Sequence, residues 1–159
     1  MYDSLSIRAI YKYAISLILL GTVCAAIAGC SSQPPQITVE GQYANLSGMF
    51  LGAGSVFMKI KNAGGKDALI SAAASIPNAT VELHDVKDDR MVKTEKIAIP
   101  SRDTVELKPR SLHIMMFSMP KTVQVGTEFT LTLKFERSGD LQVPVRFEKP
   151  KELPMHGGQ

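Results

Sequence analysis

Between Leu112 and Met119 the chain reads L-H-I-M-M-F-S-M, which places three methionines and one histidine within eight residues of a 159-residue chain that has three histidines and eight methionines. In an extended segment successive side chains alternate, so His113, Met115 and Phe117 share one face and Leu112, Ile114 and Met116 the other. His113 and Met115 could therefore converge on one ion. Upstream, V-E-L-H ends on His84, on the face opposite Val81 and Leu83, and Met91 follows directly after K-D-D-R, a turn sequence that would bring it back beside His84. Two imidazole nitrogens and two thioether sulfurs form a neutral, partly soft ligand set that suits Cu(I) and offers little to Zn²⁺ or Mg²⁺. Thioethers also survive an oxidising compartment, where thiols are lost to disulfides. The same residues fit a plainer arrangement in which the methionines fill core gaps and the histidines are hydrogen-bonded structural groups. On these strands alone both readings stand.

The first thirty residues name the compartment. Arg8 and Lys12 precede an uncharged apolar run from Tyr13 to Gly29, too short and too quickly followed by polar residues to make a membrane span of about 20 residues. It reads as a secretory signal, 1–29, ending in I-A-G-C-S-S. Small residues before Cys30 resemble the bacterial lipoprotein cleavage box, in which the cysteine after the cut carries the lipid. Ser31 and Ser32, with no aspartate after the cysteine, resemble the version sent to an outer membrane in cells that have one. The expected location is then the periplasmic side of a membrane. Cys24 leaves with the signal and Cys30 is lipid-linked, so the mature domain has neither free thiol nor disulfide, and metal chemistry must do without thiolates.

Composition restricts the function classes further. With 45% hydrophobic and 21% charged residues the chain can bury a core of its own. The net charge of +3 is dispersed among apolar and acidic neighbours, and aromatics are 6% with no tryptophan, so there is neither a basic footprint nor a stacking platform for nucleic acid. No G-x-S-x-G, H-E-x-x-H or phosphate loop is present, which argues against an enzyme. Asp85, Asp88 and Asp89 beside His84 read as a hairpin tip, where aspartate is favoured by turn geometry.

The elements that must position the candidate ligands are short strands. Residues 55–62, 68–73, 79–84, 91–99, 103–107, 111–117, 128–135 and 141–147 alternate or are rich in β-branched residues, and turn chemistries such as N-A-G-G-K, K-D-D and R-S-G-D separate them. No window offers a helical face of three turns. This spacing predicts an all-β, antiparallel β-sandwich of about 110 residues. The expected organisation is a polar, proline-stiffened tether over 30–37, a sandwich over 38–150 and a loose tail over 151–159.

The same residues carry a family resemblance. Periplasmic copper chaperones of the PCuAC type have the signature H-x10-M-x21-H-x-M on a cupredoxin-like β-sandwich. Here residues 92–112, twenty-one in number, separate Met91 from His113, and Met115 follows after one more. The stretches A-G-S-V-F-M-K-I-K-N, I-A-I-P-S-R-D-T-V-E-L-K-P-R-S-L-H-I-M and L-T-L-K-F-E-R-S-G-D-L-Q-V-P-V are similar to this family, over about residues 40–147. The resemblance implies a non-enzymatic, monomeric domain that binds one Cu(I) through His84, Met91, His113 and Met115. It further implies exchange of that copper with another protein, in cytochrome c oxidase assembly. One departure concerns His84, which only six residues, 85–90, separate from Met91. Removing four residues from a hairpin is an even change and preserves the facing of both ends. Asp85 and Phe117 stand where relatives often have further methionines.

The remaining methionines fall outside the signature. Met58 and Met116 are expected in the core, Met49 and Met119 near loops where they could line the rim, and Met155 and His156 in the tail. The competing function is a β-sandwich lipoprotein that serves as a structural or protein-binding module without metal. A blue-copper electron carrier would need a thiolate ligand that the mature domain lacks.

Overall fold

The computed structural model describes residues 33–150. The signal segment 1–29, Cys30 and the tail with Met155 and His156 lie outside the described residues. Ten strands follow in order: β1 (Ile37–Leu46), β2 (Gly54–Asn62), β3 (Asp67–Ala74), β4 (Thr80–Lys87), β5 (Arg90–Lys93), β6 (Ile97–Ile99), β7 (Thr104–Leu107), β8 (His113–Phe117), β9 (Glu128–Phe135) and β10 (Gly139–Glu148). None of the described residues is helical.

The strands make two sheets. One runs β5-β4-β8-β2-β1, with β7 beside the far end of β2, and the other runs β10-β9-β3-β6. The sheets join where β1 lies parallel to β10, with Ala44 opposite Phe147 and Asn45 opposite Glu148. All other pairings are antiparallel, so the expected sandwich is present with one parallel seam.

Alternation explains which residues fill the space between the sheets. From the first sheet Ala44, Val56, Met58, Ile60, Leu83, Ile114 and Met116 point inward; from the second come Leu69, Ile97, Ile99, Leu131, Leu133, Phe135, Val143, Val145 and Phe147. Period-2 burial is clean in β9 and β10, whose other faces are solvated. β8 differs, since its first four residues are all buried. Ile114 and Met116 face the core, so what covers His113 and Met115 must lie on the outer face of the sheet.

Three details differ from the sequence reading, the first being β1, which is not among the expected strands and whose first residue, Ile37, falls in the expected tether. The run 91–99 is not one strand but β5 and β6, broken at Thr94–Lys96, where Thr94 N–H turns back to the Leu83 carbonyl and the chain crosses to the second sheet. Residues 34–36, expected in the tether, are bonded to the domain: Gly65 N–H donates to the Pro34 carbonyl, Ala63 N–H to the Gln36 carbonyl, and Gln36 N–H to Asn62 Oδ1. A Cβ at Gly64 would collide with the Pro34 carbonyl, so only glycine allows this close approach. Asn62 is buried and completes its hydrogen bonds through Nδ2 to the carbonyls of Gly65 and Pro100.

Candidate metal centre

Strand register brings the four candidate ligands to one face. His84 on β4 lies directly opposite His113 on β8, Glu82 opposite Met115, and Val86 opposite Met91 on β5. Directly opposed residues of antiparallel strands share a face, so His84, Met91, His113 and Met115 all project from the outer side of the sheet. The hairpin that joins β4 to β5 turns on Asp88 and Asp89, whose φ values are +49° and +58°. Two consecutive left-handed residues make a type I′ turn, which matches strand twist and tolerates aspartate. The shortened connection is thus a minimal hairpin that keeps Met91 on the same face as His84.

The two imidazoles lie 5.7 Å apart between ring centroids. Each has one nitrogen held by a partner that can only accept a proton. The Ser111 carbonyl lies 2.7 Å from His113 Nδ1, so Nδ1 carries the hydrogen and Nε2 keeps its lone pair. Glu82 Oε2 lies 3.0 Å from His84 Nε2, so Nε2 carries the hydrogen there. Glu82 is held as a carboxylate: Lys93 Nζ donates to its Oε1 at 2.7 Å, and Lys93 with His84 lowers its pKa. His84 Nδ1 is left buried, with no hydrogen-bond partner. An unpartnered buried nitrogen is costly in a finished protein interior, and metal ligation is one way to satisfy it.

Electrostatics favour the ligating form of His113. Burial pushes its pKa below the ordinary imidazole value and nearby His84 adds to this, against the opposing pull of the Ser111 carbonyl. A depressed pKa keeps the ring neutral at pH 7, as a metal ligand must be.

The sulfurs are placed differently. Met115 is 5% exposed, and the Ser55 hydroxyl donates to its Sδ at 3.0 Å. Met91 is 56% exposed and lines a cleft of about 400 Å³ together with His113, Ser55, Phe57, Asp89 and Arg110. Phe57 and Phe117 flank the imidazoles, with centroids 6.3 Å from His113 and 6.1 Å from His84. Among the described residues there is no group of three His, Cys, Asp or Glu side chains that could hold a metal ion.

The other methionines among the described residues lie in the core or in a loop. Met58 and Met116 are core, as expected. Met119, expected near a loop at the rim, is also core: Ser118 at φ +57° turns the chain, and Met119 pairs its N–H with the Gly52 carbonyl while its side chain joins the core cluster. Met49 is 86% exposed in the β1–β2 loop. The sequence reading did not single out Glu82, Lys93 or Ser55. For Glu82 a signal was present, because a residue two before His84 on a strand must share its face. Ser55 becomes visible only once β2 is known to lie beside β8.

Comparisons with known proteins agree with this architecture. The copper-bound PCuAC domain from PmoF2 superposes with a TM-score of 0.62 at 20% identity, over 74% of this chain and 96% of that one. The solution structure of CuI-DR1885 from Deinococcus radiodurans superposes with a TM-score of 0.61 at 20% identity, over 80% and 87%. These likenesses establish the fold as that of the cupredoxin-like PCuAC domains. A protein of Leifsonia xyli subsp. xyli, named "Putative lipoprotein Lxx21020", is 27% identical over 87% of this chain and 90% of its own length. The family described as "Putative lipoprotein LpqE-like" matches residues 37–147. That match runs from the first residue of β1 to the penultimate residue of β10, and the chain belongs to the LpqE-like family.

Proposed function

We propose that this protein is an extracytoplasmic, lipid-anchored copper carrier that binds one Cu(I) through His84 Nδ1, His113 Nε2, Met115 and Met91 and passes it to a partner protein. The observation that carries the reading is the state of the histidine pair. Two directly opposed imidazoles each have one nitrogen tied to an obligate acceptor, and the buried Nδ1 of His84 lacks any other partner. Two imidazole nitrogens and thioethers make a soft, neutral set suited to Cu(I). Support comes from the fold shared with a copper-bound PCuAC domain and with CuI-DR1885. The name of the Leifsonia relative and the I-A-G-C-S-S sequence support anchoring through Cys30, at an outer membrane where the cell has one.

The exposed Met91 gives the ion a route in and out, since an incoming ligand can displace an accessible thioether before the buried ligands let go. Cytochrome c oxidase is the receiver that the family resemblance implies. The test is anaerobic reconstitution of the protein with Cu(I) followed by native mass spectrometry. One bound copper is expected, and His113→Ala should abolish it. A wild-type protein that emerges without copper would leave the metal-free protein-binding module as the function.

A further inference from the structure

Resting on the copper reading, we propose that Glu82 is a positioning residue that dictates which nitrogen of His84 meets the metal. Alternation along β4 sets Glu82 two residues from His84 on the same face. Its carboxylate joins two strands: Oε2 accepts from His84 Nε2 on β4, and Oε1 accepts from Lys93 Nζ on β5. Lys93 is itself directly opposite His84. The imidazole is therefore tied at Nε2 to a carboxylate fixed from its other side by an ammonium.

The clamp has a chemical consequence. A histidine ring that turns over about its Cβ–Cγ bond exchanges the places of its two sides, and in a free side chain either nitrogen can ligate. Here turning would break a charge-assisted hydrogen bond and leave the Nε2 hydrogen without its acceptor. Nδ1 is thus the nitrogen offered, whereas His113, bonded through Nδ1 to the Ser111 carbonyl, offers Nε2. Lys93 offsets the carboxylate charge, so the clamp orients the ring without adding net negative charge beside the ion. Carboxylate partners of ligating histidines elsewhere are worth about 10–100-fold in metal affinity.

The experiment uses Ag(I), a diamagnetic stand-in for Cu(I) whose nuclear spin splits the resonance of the nitrogen it binds. The full chain, ¹⁵N-labelled and held in detergent micelles, is loaded with ¹⁰⁹Ag(I), and the imidazole resonances are recorded for wild type, Glu82→Leu and Glu82→Gln. In wild type the splitting is expected on His84 Nδ1 and His113 Nε2. Glu82→Leu should lose or relocate the splitting at His84, keep that at His113, and bind Cu(I) about 10–100-fold more weakly in competition with a chelator. Glu82→Gln, whose amide oxygen still accepts from Nε2–H, should restore the wild-type pattern and most of the affinity. Splitting on His84 Nε2 in wild type overturns the proposal while the His113 signal upholds copper binding. Unchanged Nδ1 splitting and affinity in Glu82→Leu overturns it equally. Absence of splitting at both histidines in wild type overturns the copper reading and this proposal with it.

Discussion

Met115 and Met116 are neighbours in sequence with opposite surroundings, and exchanging each in turn separates the metal centre from the core. Met116 is fully buried among the inward residues, and its truncation to alanine leaves a cavity that costs about 2–5 kcal/mol. For a domain of this size that is a fall of about 8–20 °C in melting temperature. Met115 projects from the other face. Met115→Leu conserves volume and costs less than about 1.5 kcal/mol, and the Ser55 hydroxyl it releases lines the cleft, where water can take the bond. The change removes a thioether, however, and at least tenfold in Cu(I) affinity should go with it, about 1.4 kcal/mol. The assay pairs thermal melts of the apoproteins with anaerobic chelator competition. The expected pattern is a crossed one: Met116→Ala melts early and binds normally while folded, and Met115→Leu melts normally and binds weakly. Parallel losses of affinity in both variants would refute the assignment of the two faces, and so would wild-type affinity in Met115→Leu.

Two further predictions rest on other parts of the chain. Asp67 is buried and accepts from the N–H groups of Ala68, Arg137 and Ser138 and from the Ser138 hydroxyl. Burial alone would raise its pKa, but these bonds outweigh it and the carboxyl lies below its ordinary value. Because the folded value is the lower one, the stabilisation is fully present above the unfolded value of about 3.9 and is lost as pH falls below it. Asp67→Ala should cost about 3 kcal/mol at pH 7, and the gap between its melting curve and that of wild type should narrow as pH falls below about 3.9; a gap independent of pH would contradict the account. Cys30→Ser should move the protein from the membrane to the soluble fraction, read by fractionation after a salt wash, and retention in the membrane would favour an uncleaved signal as the anchor.

How much of this was legible beforehand depends on how local each feature is. The alternation H-I-M-M fixed the facing of His113, Met115 and Met116 without knowledge of any partner strand, and V-E-L-H did the same for His84 against Leu83. The even shortening of the hairpin correctly kept Met91 on the face of His84, and Asp88 and Asp89 supplied the turn. Features that depend on non-local pairing were not legible. Whether a strand meets its neighbour parallel, as β1 meets β10, is decided by packing of the whole sandwich. The run 91–99 alternates well enough to pass for one strand, and only the register of Ile97–Ile99 against β3 reveals the crossing. In sequence Met119 carries no positional signal beyond its place near a loop; a single left-handed residue, Ser118, turns it inward.

The doubly buried strand β8 also bears on how such a protein can change over generations. On the proposed reading its odd positions answer to cargo and its even positions to folding, so the two sets of letters are exposed to separate selection although they are interleaved in one short word. Substitution at His113 or Met115 leaves Ile114 and Met116 in place, and a descendant could lose or exchange its metal while keeping its fold. A single-residue deletion ahead of β8 has the opposite effect: it presents the ligands to the core and the core to the ligands, and forfeits both at once. In this region a replacement on one face should therefore spare the other, whereas an odd-numbered insertion or deletion should be tolerated least.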